Sequence, residues 1–97
     1  MADTQSGAEP REIRIRRMRF RAWHRGMQEA DLVYGRFADK HLETMTDEEL
    51  AQFDILLELL DQDVLDWIFE RQPVPAAYDW PLTRAMLAFD ATDMLKK

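Results

Sequence analysis

The spacing of the apolar residues constrains the fold of this chain more than any other feature. One stripe has intervals of three, four and three residues, and its members are Leu50, Phe53, Leu57 and Leu60. A second stripe follows the i, i+3, i+4, i+7 pattern, and its members are Leu82, Ala85, Met86 and Phe89. Both patterns place their side chains on one face of an α-helix. No segment shows a convincing strand pattern, so the sequence predicts an all-α fold.

Five helical segments are placed by these stripes and by residues that favour helix ends. They are expected to begin near Arg11, Gln28, Thr46, Asp61 and Pro81. Thr46 and Glu49 form a capping-box pattern at the start of the third segment. Asp61 is suited to cap the short fourth segment, and Pro81 suits the first turn of the fifth.

The length of the chain, 97 residues, is that of one domain. Because short loops join five short helices, residues 11–97 are predicted to form one compact five-helix bundle. Residues 1–10 contain two acidic and no basic residues, and they are predicted to be a disordered leader without the layout of a signal or transit peptide. The lack of cysteine fits a reducing compartment. The expected location is therefore the bacterial cytoplasm.

The chemistry-bearing residues do not favour catalysis or a metal site. No cysteine is available as a nucleophile or thiolate ligand, and His24 and His41 lie seventeen residues apart, which matches no standard zinc spacing. The sequence has no glycine-rich phosphate loop and no nucleophile elbow. Asp61 and Asp63 lack the partners of a calcium loop and are better explained as helix caps. We therefore expect a protein that is not an enzyme, holds no metal and binds no cofactor tightly.

The charge of the chain is divided unevenly along its length. Residues 1–25 hold seven arginines and three acidic residues, a balance of +4, whereas residues 26–97 hold six basic and sixteen acidic residues, a balance of −10. The Arg-rich first helix leaves open a small nucleic-acid-binding or regulatory module. The acidic remainder disfavours this alternative, because phosphate would repel most of the chain, and no nucleic-acid partner is expected. No apolar run approaches the roughly 20 residues of a membrane-spanning helix, and no membrane insertion is expected.

The segment from His24 to Asp31 separates the first two helical patterns and concentrates polar groups at one turn. Gly26 can adopt a positive φ at little cost, which is a usual way for a helix to end. Glu29 and Asp31 lie about 200° apart around the second helix, so they cannot serve the same cap or clamp one ligand together. Arg25 adds a cation with paired donors. Two interpretations stay open: a plain capped turn, and a corner that docks onto another protein.

The same segment carries a family resemblance. The pattern Arg25-Gly26-x-x-Glu29, followed by Asp31, resembles the RGxxE signature of the SdhE-type flavinylation factors, the FAD assembly factors of succinate dehydrogenase. Further matches occur in the expected order and comprise Gly35-Arg36-Phe37, Leu50 to Leu60, Asp61-Gln62-Asp63 and Asp66-Trp67. The resemblance covers roughly residues 14–89, which is nearly all of the predicted helical region.

The resemblance implies both a fold and a function. Members of the family are five-helix bundles that assist covalent attachment of FAD to a histidine of the flavoprotein subunit of succinate dehydrogenase and, in bacteria, of fumarate reductase. The resemblance implies that this chain is an assembly factor, or chaperone, that binds this flavoprotein. It also implies that the flavin concerned is the FAD of the client. The implied partner-binding residues are Arg25, Gly26, Glu29 and Asp31, with His24 beside them. Arg25 would pair with client carboxylates, and Glu29 would accept hydrogen bonds from client donors.

This chain departs from the commoner form of the motif at two positions. The commoner form has arginine at position 24, where this chain has His24, and a larger apolar residue at position 30, where this chain has Ala30.

Overall fold

The structure, a computed structural model, describes the backbone of residues 9–95 and the side chains of residues 9–88. Its helices are α1 (Arg11–Trp23), α2 (Gln28–His41), α3 (Asp47–Glu58), α4 (Asp61–Ile68) and α5 (Pro81–Leu95). Two short 3₁₀ turns, Leu42–Thr44 and Ala76–Tyr78, lie between them. The described part of the chain contains no strand, so the predicted all-α five-helix bundle is confirmed. Residues 1–8 of the predicted leader lie outside the described residues, and the domain boundary at residue 11 stays a prediction.

All five helices contribute to one apolar core. Each of the first two helices buries one face in this core, and the buried residues include Ile15, Met18, Ala22, Ala30, Val33, Tyr34, Phe37 and Ala38. The ring of Phe53 on α3 lies between the two aromatic rings of α2, with centroids 6.1 Å from Tyr34 and 6.0 Å from Phe37. Burial of these stripes supplies the main driving force for folding.

The apolar stripe predicted for α3 extends one turn too far. Leu50, Phe53 and Leu57 are buried, but Leu60 is 71% exposed. The physical reason is that α3 ends at Glu58 and the backbone then becomes extended, so Leu60 no longer continues the helical face. In the stripe predicted for α5, Leu82 and Met86 are buried and Ala85 is exposed, whereas the side chain of Phe89 lies outside the described residues.

The helices α3, α4 and α5 begin where the sequence predicts, but one of the roles predicted for residues at these starts is wrong. Thr46 and Glu49 form the expected capping box, with reciprocal hydrogen bonds of 3.1 and 2.9 Å, and α5 begins at Pro81. Asp61 does not cap α4, since the cap position is occupied by Leu60 and no side chain there binds the helix end. The Asp61 carboxylate instead accepts a hydrogen bond from Arg25.

Candidate docking site at the α1–α2 corner

The turn between α1 and α2, together with the first turn of α2, forms the α1–α2 corner (residues 24–31). α1 ends at Trp23, and Gly26 then takes a φ of +97°, so the predicted positive φ is confirmed. A Cβ atom built on Gly26 meets no other atom within 4 Å. Glycine is therefore required here by the backbone angle, and the outer side of the turn is open to a partner.

Asp31 closes the turn from inside the second helix. Its carboxylate accepts a hydrogen bond of 2.6 Å from the backbone N–H of Arg25. Met27, at the N-cap position of α2, contributes no side-chain cap. Asp31 therefore fixes the backbone just before Gly26, and its side chain is engaged within the molecule.

The side chain of Arg25 points inward and is only 10% exposed. Its Nε donates to Oδ1 of Asp61 across 2.9 Å, and its Nη2 donates to the carbonyl oxygen of Leu59 across 3.2 Å. The guanidinium also lies over the ring of Tyr34, 4.5 Å from the ring centroid. Arg25 thereby joins the corner to the junction between α3 and α4. This arrangement differs from the expected pairing with carboxylates of a client, because the guanidinium has partners of its own.

Tyr34 supports this arrangement from the core. Its hydroxyl donates a hydrogen bond of 2.7 Å to the carbonyl oxygen of Leu56. Burial raises the pKa of the Tyr34 hydroxyl well above its ordinary value, although the nearby charge of Arg25 acts in the opposite direction. The hydroxyl therefore stays protonated and keeps its role as a donor at neutral pH.

The outward face of the corner carries the remaining predicted site residues. Gly26 and Glu29 are exposed, and the Glu29 carboxylate forms no hydrogen bond or ion pair with any residue that the structure describes. His24 is exposed and stacks on Phe20 with ring centroids 3.9 Å apart. Its Nδ1 lies 2.6 Å from the Phe20 carbonyl oxygen, so Nδ1 is the donor and Nε2 faces away from that bond. The five predicted residues thus form two sets. Arg25 and Asp31 are engaged within the molecule, whereas His24, Gly26 and Glu29 lie on the outward face.

Three supporting residues were not predicted as parts of the site. Asp61 and Leu59 bind Arg25 from 36 and 34 positions along the chain, and Tyr34 forms the platform under it. Periodicity places Tyr34 beside the apolar face of the second helix and gives no sign of a role at the corner. The one sequence signal for Asp61 is its place in the family-like block Asp61-Gln62-Asp63. The sequence gives no local indication that it pairs with a residue so far away.

The positive charge of α1 is largely neutralised within the fold. Five of the seven arginines in residues 9–25 form ion pairs with described carboxylates, and the pairs are Arg11–Asp47, Arg17–Glu9, Arg19–Asp39, Arg21–Glu58 and Arg25–Asp61. A phosphate backbone would have to compete with these carboxylates. The arrangement therefore provides no support for the alternative of a nucleic-acid-binding module.

An open groove of about 740 Å³ lies between α4 and α5, away from the corner residues. The two arginines that line it are engaged by carboxylates, with Arg71 at 2.8 Å from Asp66 and Arg84 at 2.7 Å from Asp79. Among the described residues, no cluster of three or more histidine or acidic side chains is arranged to hold a metal ion. Over the same part of the chain, no helix has the length and apolar character needed to cross a membrane.

The fold and the corner define a small all-α protein with open polar groups at one interhelical turn. The chain belongs to the family described as flavinator of succinate dehydrogenase, whose family model matches residues 16–90. The resemblance to the SdhE-type factors is thereby confirmed.

Individual relatives agree with this assignment. The chain is 42% identical over 74 residues to the FAD assembly factor SdhE of Acetobacter pasteurianus, covering 76% of this chain and 68% of the relative. It is 39% identical over 71 residues to the mitochondrial succinate dehydrogenase assembly factor 2 of Mycosarcoma maydis, covering 73% of this chain and 30% of the relative. It is 36% identical over 80 residues to the mitochondrial assembly factor 2-A of Drosophila yakuba, covering 80% of this chain and 49% of the relative. The chain thus spans about two thirds of the bacterial relative and half or less of these two mitochondrial ones.

Proposed function

We propose that this chain is an assembly factor that binds the flavoprotein subunit of succinate dehydrogenase and promotes covalent attachment of FAD to it. The observation that carries the proposal is the family match across residues 16–90, which includes the whole α1–α2 corner. The bacterial relative is named as an FAD assembly factor, and the mitochondrial relative is named as a succinate dehydrogenase assembly factor.

The outward face of the corner is the proposed contact with the client. Gly26 lets the client approach the backbone closely, because no side chain covers that turn. Glu29 accepts hydrogen bonds from client N–H groups or cations, since its carboxylate is exposed and has no described partner. His24 offers its Nε2 beside them. Arg25 and Asp31 hold the turn in shape, and this assigns Arg25 a role different from the pairing with client carboxylates that the motif suggested.

The covalent step is proposed to take place within the client, and this chain acts as a chaperone and not as an enzyme. The exposed groups at the corner lie on an open surface, which suits a protein contact and does not suit enclosure of a flavin. The FAD concerned is that of the client. To promote attachment, this chain only has to bind more strongly to the client conformation that aligns the flavin with the acceptor histidine. A preference of about 1.4 kcal/mol for that conformation shifts the conformational equilibrium of the client tenfold.

The proposal extends to a second client and to a location. The flavoprotein of fumarate reductase is proposed as a further client, on the resemblance to the SdhE-type factors. The bacterial cytoplasm is proposed as the place of action, in keeping with the bacterial relative that is 42% identical. Nucleic acid is not a proposed partner, because most of the arginines of α1 are engaged by carboxylates of the described residues.

Co-expression with each flavoprotein subunit tests the proposal. The succinate dehydrogenase flavoprotein is produced with and without this chain, and covalently bound flavin is scored by its fluorescence in a denaturing gel. We expect flavin fluorescence to rise severalfold when the chain is present. Equal fluorescence with and without the chain would contradict the proposed function. Salt-sensitive retention on DNA, without binding to either flavoprotein, would favour the nucleic-acid alternative.

A further inference from the structure

We infer that Asp61 is a positioning residue for the client contact and acts on it through Arg25. The inference rests on the proposed function, since it concerns how the α1–α2 corner is held for docking. Asp61 is the first residue of α4 and lies outside the RGxxE pattern. It is 14% exposed on its side chain, so little of it is available to touch a client.

The backbone conformation at Gly26 is not fixed by contacts of Gly26 itself. Gly26 has a positive φ and no atom within 4 Å of its Cβ direction, so packing at that position does not define its conformation. Glycine also has the widest backbone freedom of all residues. The geometry of the exposed turn therefore depends on what holds the residues on either side of it.

Arg25 is the residue immediately before Gly26, and it is held at both ends. Asp31 binds its backbone N–H at 2.6 Å. Asp61 and the Leu59 carbonyl oxygen bind two different nitrogens of its guanidinium, at 2.9 and 3.2 Å. The backbone anchor comes from α2, and the side-chain anchor comes from the junction of α3 and α4.

Tyr34 removes the remaining freedom of the guanidinium. The planar group lies over the Tyr34 ring at 4.5 Å, and the ring is fixed in turn by its hydrogen bond to the Leu56 carbonyl oxygen. A planar cation held by a carboxylate, a carbonyl oxygen and a ring face has one preferred orientation. Of these three contacts, only Asp61 supplies a full opposite charge, and the charge-assisted bond is the strongest type.

Asp63 provides a matched control for Asp61. Both carboxylates lie in the first turn of α4, where each interacts favourably with the helix dipole. Asp63 is exposed and forms no ion pair with a described residue. If Asp61 acted only by interacting with the helix dipole, replacing Asp63 would have the same effect. If Asp61 acts through Arg25, replacing Asp63 would not have that effect.

The test measures affinity for the purified apo-flavoprotein of succinate dehydrogenase by titration calorimetry. We expect Asp61→Ala to weaken binding about tenfold, equivalent to about 1.4 kcal/mol, and Asp63→Ala to change it by no more than about twofold. Asp61→Asn should fall between them, because its side-chain oxygen still accepts from Nε of Arg25. Equal affinities of the Asp61→Ala and Asp63→Ala variants would overturn the inference.

A second set of variants separates positioning from loss of stability. Ile15→Ala removes core volume on α1 without touching the corner, and it serves as a destabilised control measured where all variants are folded. Amide hydrogen exchange at Arg25, whose backbone N–H is bonded to Asp31, should accelerate in Asp61→Ala and not in Ile15→Ala. In an Arg25→Gln background, Asp61→Ala should have little further effect on affinity, because the pair no longer exists. Affinities that follow global stability, or additive effects of the two substitutions, would overturn the inference.

Failure of the inference is distinguishable from failure of the proposed function. If Glu29→Ala weakens binding and Asp61→Ala does not, the corner docks the client but Asp61 does not position it. If the unaltered chain does not bind the flavoprotein, both the proposed function and the inference are contradicted.

Discussion

The ring of Trp23 occupies the space that a side chain on Gly35 would need. A Cβ atom built on Gly35 would lie far inside van der Waals contact with the Trp23 ring. The indole N–H of Trp23 also donates to the carboxylate of Asp39, one turn further along α2, at 3.3 Å. Trp23 is the last residue of α1, so this contact sets how closely the end of α1 approaches α2 just before the corner begins.

Gly35→Ala should therefore destabilise the protein although alanine is the better helix former. The intrinsic gain in a helix interior is about 1 kcal/mol, whereas forcing a ring out of a packed position costs typically about 1–3 kcal/mol and sometimes more. We expect a net loss of about 1 kcal/mol or more in urea unfolding, with a shifted NMR resonance of the Trp23 indole N–H. A gain in stability with an unmoved resonance would contradict the contact.

Gly26→Ala tests a different physical effect, because no atom stands in the way of its new methyl group. The cost arises from the positive φ alone and should be about 1–2 kcal/mol in urea unfolding. The Trp23 indole resonance should stay in place, in contrast to the result for Gly35→Ala. Unchanged stability would mean that the turn adopts another conformation without cost.

Arg25→Ala should be more harmful to stability than replacement of an exposed arginine of α1. It leaves the carboxylate of Asp61, which is 14% exposed, without its cationic partner, and breaking such a pair costs about 3 kcal/mol. Arg16→Ala is the matched control, since Arg16 is exposed and pairs with no described carboxylate, and it should change stability by less than about 0.5 kcal/mol. Chemical denaturation measures both, and similar losses for the two variants would contradict the inward role of Arg25.

The ion pair of Asp66 and Arg71 at the end of α4 predicts a dependence on pH. The hydrogen bond from Arg71 holds the pKa of the Asp66 carboxyl below its ordinary value, with a further contribution from Gln62. A pKa that is lowered in the folded state adds stability above the pKa of the unfolded chain, and this stability is lost as the pH falls through the folded pKa. Arg71→Gln should therefore raise the pKa of Asp66 in an NMR titration and reduce stability at neutral pH, with the two proteins converging in acid.

Arg84→Gln provides the control for that titration. Arg84 lowers the pKa of Asp79 by an equivalent hydrogen bond, so its replacement should raise the pKa of Asp79 and leave Asp66 unchanged. If Arg71→Gln left the titration of Asp66 unaltered, the ion pair would not exist in solution.

Local signals in the sequence predict the features whose causes are local. The helical character of the predicted segments, the capping box at Thr46 and the positive φ of Gly26 each depend on a few neighbouring residues, and all three are confirmed. The end of α3 was misplaced, because an apolar residue at helical spacing does not reveal that the backbone has become extended. Leu60 was therefore predicted as a core residue and is exposed.

The spacing of residues in the sequence does not predict which residues of the corner face inward and which face outward. The 200° separation of Glu29 and Asp31 correctly indicated that they serve different purposes, and Asp31 indeed binds Arg25 while Glu29 faces outward. The inward direction of Arg25 depends on Asp61, 36 residues away, and on the ring of Tyr34. Such a pairing results from tertiary packing and leaves no periodic signal along the chain.

Glu29→Ala compared with Glu48→Ala tests the central claim, that the outward face of the corner docks the client. Both glutamates are exposed and occupy the second position of a helix, α2 and α3 respectively, so both substitutions have the same effect on a helix dipole. The measurement is covalent flavin fluorescence of the co-expressed succinate dehydrogenase flavoprotein. We predict that Glu29→Ala lowers it severalfold, because binding to the client is weakened, while Glu48→Ala leaves it unchanged. Equal flavin fluorescence with the two variants would contradict the claim.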